Sequence, residues 1–308
     1  MGNHIFISHS SSDAKKAEAL CGYLEKRNKK CFIAPRDIRS GHEYAEELLD
    51  GIDNSYVVIL MLSEKSNTSP HVLREIERAI SKNIPVIAEI ELGYLLNKGK
   101  ILAVTGTNGK TTVAKMAALI LGEKHRVALC GNIGRSFSEV ASLGGYEIAV
   151  VEVSSFQLET VHKFHPDVAV LTNISEDHLD RHGSMERYIA LKKKIAKNMT
   201  SGDTLVLSQD GIPIKCLMNF SPEAKVVFAC VRGKIQGAYM EGDKFFLGGK
   251  QIAEKKDLPF TERHNYENFL LAAAASSAMG ASAEEIRRGI AKFTPEKHRL
   301  CLVREIGG

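Results

Sequence analysis

The chain has no tryptophan, no long apolar run, no cysteines at metal-ligand spacing and no strong excess of either charge. The missing tryptophan decides nothing about function, but each of the other absences removes a class of it. No stretch approaches the roughly 20 apolar residues a membrane helix needs, and the start, MGNHIFISHS, lacks the basic and long apolar regions of a signal peptide. A cytoplasmic protein with no membrane partner is the expectation. The six cysteines (Cys21, Cys31, Cys130, Cys216, Cys230, Cys301) include no C-x-x-C pair, which argues against zinc and against a disulfide framework. The net charge of +4 is small for 308 residues and the basic residues are mixed with acids, so no nucleic-acid footprint is expected. Internal repeats, low-complexity tracts and flexible linkers are missing too.

What remains is ordinary globular material, 44% hydrophobic and 25% charged, of a length that suits two domains. Both halves read as alternating strands and helices. In the first 87 residues the apolar segments HIFIS, CFIA, YVVILMLS and IPVIAEI are separated by amphipathic stretches over 13–27, 44–52 and 72–80. That alternation predicts a parallel sheet with helices on both faces. A second series begins at KILAVTG and continues through RVALCG, EIAVVEVS, DVAVLTNI, TLVLSQ and KVVFAC. Glycine-separated stretches over 232–253 predict β-hairpins added to its edge. Two helices follow, one ending near Gly280, the other opened by a capping box at Ser282 and Glu285. The tail KHRLCLVREIGG reads as a strand and the start of a turn.

The segment GTNGKTT, residues 106–112, follows a buried strand and precedes a helix, the context a phosphate-binding loop requires. Gly106, Thr107, Asn108 and Gly109 would bring backbone N–H groups to phosphate oxygens. Lys110 would neutralise the β and γ phosphates, and the Thr111 hydroxyl, with Thr112 beside it, could hold Mg²⁺. Behind the loop, in order, come VEVSSFQLE (151–159), TNISEDHLDRHGSMERYIALK (172–192), RHNYENFLLAA (263–273) and PEKHRL (295–300).

Taken in that order, these motifs resemble the central ATP-binding domain of the Mur ligases, and closely the branch that adds D-glutamate to UDP-N-acetylmuramoyl-L-alanine. The resemblance runs over about residues 88–305, including AEIELGYLLNKGK. It implies activation of a substrate carboxylate as an acyl phosphate, which an amine attacks to give an amide. It also implies ATP and two Mg²⁺ ions as cofactors. By that resemblance Lys110 and Thr111 grip ATP and Mg²⁺, and Glu152 is a magnesium carboxylate. His178 ligates a second magnesium, and Lys192 is carbamylated and bridges the metals. Asn268 reads the adenine, Arg299 touches the nucleotide, and Asn132, Ser154 and Gln157 lie near the substrate. Blander readings stand beside these: His178 as part of a helix cap, Glu152 as a strand-end carboxylate, and Lys192 within KKK as a solvated helix face.

The first module has a different likeness. FISHSSSD (6–13), APRDIRSG (34–41), VVILMLSEKSNTS and VLREIERA (72–79) resemble a bacterial TIR (Toll/interleukin-1 receptor) domain over residues 4–87. This implies a flavodoxin-like fold and either a signalling scaffold, with TIR–TIR self-association, or cleavage of NAD⁺ at the nicotinamide bond. The catalytic glutamate of cleaving members falls on Glu75, where a carboxylate can stabilise a ribosyl cation. Glu75 also lies in REIER, whose alternating charges suit a solvated helix face.

The expected architecture is therefore α/β throughout: a TIR-like domain over 1–87 lacking its last strand and helix, a junction at 88–99, a Mur-type central domain with a mostly parallel sheet at 100–297, and a stub at 298–308. On this reading the domains that bind the UDP-sugar and the amino acid are outside the chain, and it does not complete D-glutamate ligation alone. The alternative function is that of the TIR module, NAD⁺ cleavage or signalling.

Overall fold

The structure, a computed structural model, describes residues 2–39, 41, 43–61, 63–67, 69–177, 179–217, 220 and 222–295. His178, Arg299 and the tail strand and turn lie outside these residues. The fold is α/β with two sheets, and the chain forms two compact units that it enters more than once. The first unit runs up to Lys98 and takes in Cys130–Gly145 and Val153–His165; the second holds Gly99–Leu129, Tyr146–Glu152 and the chain from Pro166 onward. Among the described residues no helix is long and apolar enough to cross a membrane.

In the first unit, β1 (His4–Ser8), β2 (Cys31–Phe32), β3 (Ser55–Leu60) and β4 (Val86–Ala88) form a parallel sheet ordered β2-β1-β3-β4. This is the doubly wound order of flavodoxin-like folds, with its switch point between β1 and β3. Every residue of β1 is buried, as a central strand covered on both faces requires. One face packs Ile5, Ile7 and Ile59 against Leu20 and Leu24 of the helix Ala14–Glu25; the other packs Phe6, Val58 and Ile52.

IPVIAEI reads as one strand, but only Val86–Ala88 is strand, and Glu89–Leu96 is helix. The helix is fixed by contacts distant in sequence. Its Leu92 joins the core of β1 and β3, a burial that contributes about 2 kcal/mol. Glu91, 2% exposed, accepts the amide N–H groups of His162, Lys163 and Phe164 at 3.1, 2.7 and 3.1 Å. Glu89 accepts that of Ser138 at 2.5 Å. Burial pushes the Glu89 carboxyl above its usual range, and the Ser138 amide pulls it back.

The second unit is built on a nine-stranded sheet in the order β13-β12-β11-β10-β9-β8-β5-β7-β6. Its strands are β5 (Lys100–Thr105), β6 (Val127–Gly131), β7 (Ile148–Glu152), β8 (Val168–Leu171), β9 (Thr204–Ser208), β10 (Lys225–Cys230), β11 (Gly237–Glu241), β12 (Lys244–Leu247) and β13 (Lys250–Glu254). β5 pairs in parallel with β7 and β8, and the parallel pairing continues through β9 and β10 to β11. β11, β12 and β13 make the expected antiparallel addition. Helices Lys110–Leu121 and Arg263–Ala278 cover the sheet with Met116, Ile120, Phe269 and Leu270. The capping box at Ser282 and Glu285 forms, and Gly280 ends the preceding helix at φ +100°. The chain goes to opposite sides of β5 before and after β7, so the end of β5 is the crevice where such sheets bind ligands.

Candidate functional site

Loop 106–112 connects β5 to the helix Lys110–Leu121 at that crevice. Gly106 takes φ +148°, and a Cβ there would lie 1.9 Å from Thr172 Oγ1. Gly109 takes φ +79°, and a Cβ there would lie 2.5 Å from Asn268 Oδ1. Both positions therefore exclude a side chain twice over, by backbone conformation and by space. The result is a tight loop on a helix N-terminus, where backbone N–H groups and the helix dipole favour an anion.

The loop is clamped from the end of β8. Thr107 N–H donates to the Asn173 carbonyl at 3.0 Å. Asn108 N–H donates to Asn173 Oδ1 at 2.8 Å, and Asn173 Nδ2 and Thr172 Oγ1 donate to the Asn108 carbonyl at 3.0 and 2.6 Å. The Thr107 hydroxyl lies 3.2 Å from both the Ser175 carbonyl and the Tyr188 hydroxyl. Thr172, Asn173 and Tyr188 carry no role in the sequence reading, although all three stand in the quoted TNISEDH…RYIALK motif. Thr-Asn directly after a buried strand and downstream of a phosphate loop was the signal available.

Two lysines converge on one carbonyl. Lys110 Nζ donates to the carbonyls of Gly106 and Thr107 at 3.1 and 2.8 Å, and Lys192 Nζ donates to that of Gly106 at 2.7 Å. Lys192 is 1% exposed, on the helix Met185–Lys193, with its ammonium 4.4 Å from the centre of the Tyr188 ring. The solvated-face reading of KKK therefore fails at this residue. Burial, reinforced by the charge on Lys110, lowers the Lys192 pKa to about 7, with Asp177 opposing. Opposite them, Thr111 Oγ1 donates to Glu152 Oε2 at 2.8 Å. Glu152, 3% exposed, ends β7 beside the loop. Asn268 and Asn265 are both buried on the helix Arg263–Ala278, with Asn268 Nδ2 3.5 Å from Asn265 Oδ1. The second unit thus brings together 106–112, Glu152, Lys192 and Asn268.

The remaining predicted residues among the described ones belong to the first unit. Ser154 and Gln157 form a capping box on the helix Ser155–Glu159, Ser154 N–H donating to Gln157 Oε1 at 3.0 Å and Gln157 N–H to Ser154 Oγ at 3.3 Å. Asn132 is exposed just after β6. Glu75 is not on a solvated face: it is 9% exposed and accepts a hydrogen bond from the Ser8 hydroxyl at the end of β1. Burial raises its pKa to about 7 and the Ser8 bond opposes. Asp13 lies in the same unit, accepting from the Ser10 and Ser63 hydroxyls at 2.5 Å each. This polar group sits at the β1/β3 switch point.

The family model of the Mur ligase middle domain matches residues 104–276. The chain belongs to the Mur ligase family. A TIR domain model matches residues 5–120, so the two matches share 104–120, which holds the phosphate loop and much of the following helix. This Mur ligase chain is 39% identical over 262 residues to the UDP-N-acetylmuramoylalanine–D-glutamate ligase of Streptococcus mutans, covering 84% of this chain and 57% of that protein. It is 39% identical over 241 residues to the enzyme of the same name from Macrococcus caseolyticus, covering 78% and 54%. The chain thus spans little more than half the length of these relatives. Among solved structures, the UDP-N-acetylmuramate:L-alanyl-gamma-D-glutamyl-meso-diaminopimelate ligase from Neisseria meningitides shares the fold, with a TM-score of 0.62, 17% identity, and coverage of 97% of this chain and 100% of that one. Use of ATP with Mg²⁺ is general to the family.

Proposed function

We propose that the second unit binds Mg·ATP at loop 106–112 and serves ATP-dependent amide ligation in peptidoglycan precursor synthesis, in the D-glutamate-adding branch and in the cytoplasm. The observation that carries this is the convergence of Lys110, Lys192, the Thr111–Glu152 pair and Asn268 on one glycine loop. The loop amides beyond Thr107 and Asn108, which are spent on Asn173, take the phosphates with Lys110, and Asn268 takes the adenine. Thr111 and Glu152 offer the hard oxygen donors Mg²⁺ prefers, so the donor set fits the ion. When bound, Mg²⁺ supplies charge neutralisation on the phosphates. UDP-N-acetylmuramoyl-L-alanine and D-glutamate are the proposed substrates.

Lys192 is suited to carbamylation. An amine that titrates at about 7 is partly neutral at physiological pH and can form an N–C bond with CO₂ as its proton leaves. The product is an anion where the ammonium was, which turns repulsion of a second Mg²⁺ into attraction. Calorimetric titration with Mg·ATP tests the nucleotide reading: saturable one-site binding, lost in Lys110→Ala, supports it, and its absence in the wild-type chain sinks it. A gain of one CO₂ in native mass, absent from Lys192→Met, tests the carbamate.

A second reading belongs to the first unit. Buried Glu75, hydrogen-bonded to Ser8 at the switch point, supports a TIR-type NAD⁺-cleaving site, with self-association of TIR units as its companion. Nicotinamide release from NAD⁺ that survives Lys110→Ala and stops in Glu75→Ala is the expected result. Release unchanged by Glu75→Ala excludes it.

A further inference from the structure

Glu267 stands one position before Asn268 on the helix Arg263–Ala278 and makes none of the loop contacts above. It accepts a hydrogen bond from the Ser208 hydroxyl at the end of β9. Ser208 Oγ in turn accepts the Gly211 N–H at 2.7 Å, and the Gly211 carbonyl accepts the Ile174 N–H at 3.0 Å. Ile174 follows Asn173, whose side chain holds both backbone groups of Asn108 in the phosphate loop. A continuous series of hydrogen bonds and one peptide bond therefore leads from a helix carboxylate to the middle of the loop.

The packing along it has no slack. A Cβ on Gly211 would stand 2.8 Å from Glu267 Oε1, 2.8 Å from Asn173 Cβ and 2.9 Å from the Thr172 carbonyl oxygen. There is no room for a side chain at Gly211 between the carboxylate and Asn173. The carboxylate is also held against resistance: burial and the nearby Asp210 push its pKa up, while the Ser208 bond, Arg232 and Arg263 pull it down. An apolar residue would satisfy this half-buried helix position more cheaply. What the carboxylate adds is a fixed acceptor for Ser208.

We propose that Glu267 is a positioning residue for the phosphate loop: through Ser208, the Gly211 turn and Asn173 it fixes the Asn108 peptide, and so sets affinity for the phosphates of the nucleotide. The inference rests on the nucleotide reading given above, and it separates from that reading in the experiment.

The test uses the full chain as wild type, Glu267→Ala, Glu267→Gln and Asn173→Ala. Amide hydrogen exchange over 106–112 is measured without nucleotide, and the Kd for Mg·ATP by calorimetry. Gln keeps an oxygen for Ser208. Glu267→Ala should speed exchange over 106–112 and weaken Mg·ATP binding roughly tenfold, the effect of one lost buried hydrogen bond, with Glu267→Gln close to wild type and Asn173→Ala like Glu267→Ala. Exchange and Kd unchanged in Glu267→Ala overturn the proposal. So does a general rise in exchange throughout the second unit, which marks a merely structural role. If the wild-type chain binds no ATP, the nucleotide reading fails, and the exchange pattern over 106–112 still decides whether the relay exists.

Discussion

Lys192 in the second unit and Glu75 in the first are both buried beside the end of a central strand of a parallel sheet, and both titrate near 7, but they arrive there from opposite directions. Lys192 descends because its ammonium is buried next to Lys110; Glu75 ascends because its carboxylate is buried, with the Ser8 hydroxyl opposing the rise. The same cause, desolvation of the charged form, yields opposite signs. In the Lys192 pocket the neutral form is an amine, a nucleophile. On the proposed NAD⁺-cleaving reading the charged form of Glu75 would be the useful one, and on that reading burial primes Lys192 and holds Glu75 back.

Crossed substitutions break this comparison most sharply. Lys110→Ala should weaken Mg·ATP binding roughly a hundredfold, because charge-assisted contacts to phosphate are lost, and leave NAD⁺ cleavage unchanged; Glu75→Ala should do the reverse. Calorimetry and nicotinamide release read the two out. A smaller effect is expected at Gly109→Ala, where φ +79° and the 2.5 Å approach to Asn268 Oδ1 must both be relieved. Mg·ATP affinity should fall about tenfold there, and adenosine-analogue competition should show the adenine contact moved as well.

The smallest effects are the most diagnostic, since they carry a sign. For Lys192, the unfolded chain holds more protons than the folded one between pH 7 and its ordinary 10.5, so its contribution to stability rises with pH across that window. Chemical denaturation of wild type against Lys192→Met should show the wild type gaining up to about 1.4 kcal/mol per pH unit there, and Met the more stable below pH 7. For Glu75 the folded chain holds more protons between its ordinary 4.5 and 7, so stability falls as pH rises through that window. Glu75→Gln should remove this slope and stabilise the first unit above pH 7. Absence of either slope from the wild type relative to its variant would show that the pocket concerned is wetter than its geometry indicates.

The strands and the glycine loop were legible because they are local: a buried parallel strand is a continuous apolar run, and a phosphate loop is a short string of Gly, Lys and Thr between strand and helix. The burial of Lys192 and Glu75 was not. Each sits in a run of like-looking charges, and only the packing of elements distant in sequence removes one member of KKK, or of REIER, from water. Thr172, Asn173, Ser208 and Glu267 escaped for the same reason, since hydrogen bonds that span tens of residues leave no periodicity. The helix Glu89–Leu96 was misread as strand at its start because IPVIAEI is evenly apolar, and the amides that receive Glu89 and Glu91 lie about fifty and seventy residues on.

That helix also decides how the protein can be taken apart. The place where the sequence changes character, between 87 and 100, looks like the natural site for a cloning boundary, yet the first unit is completed by Cys130–Gly145 and Val153–His165. A fragment stopping at Lys98 would keep Leu92 but leave Glu89 and Glu91 as buried carboxylates stripped of the four backbone amides they receive in the whole chain. A boundary drawn there from sequence character is not a boundary of the folded first unit, which needs its downstream segments.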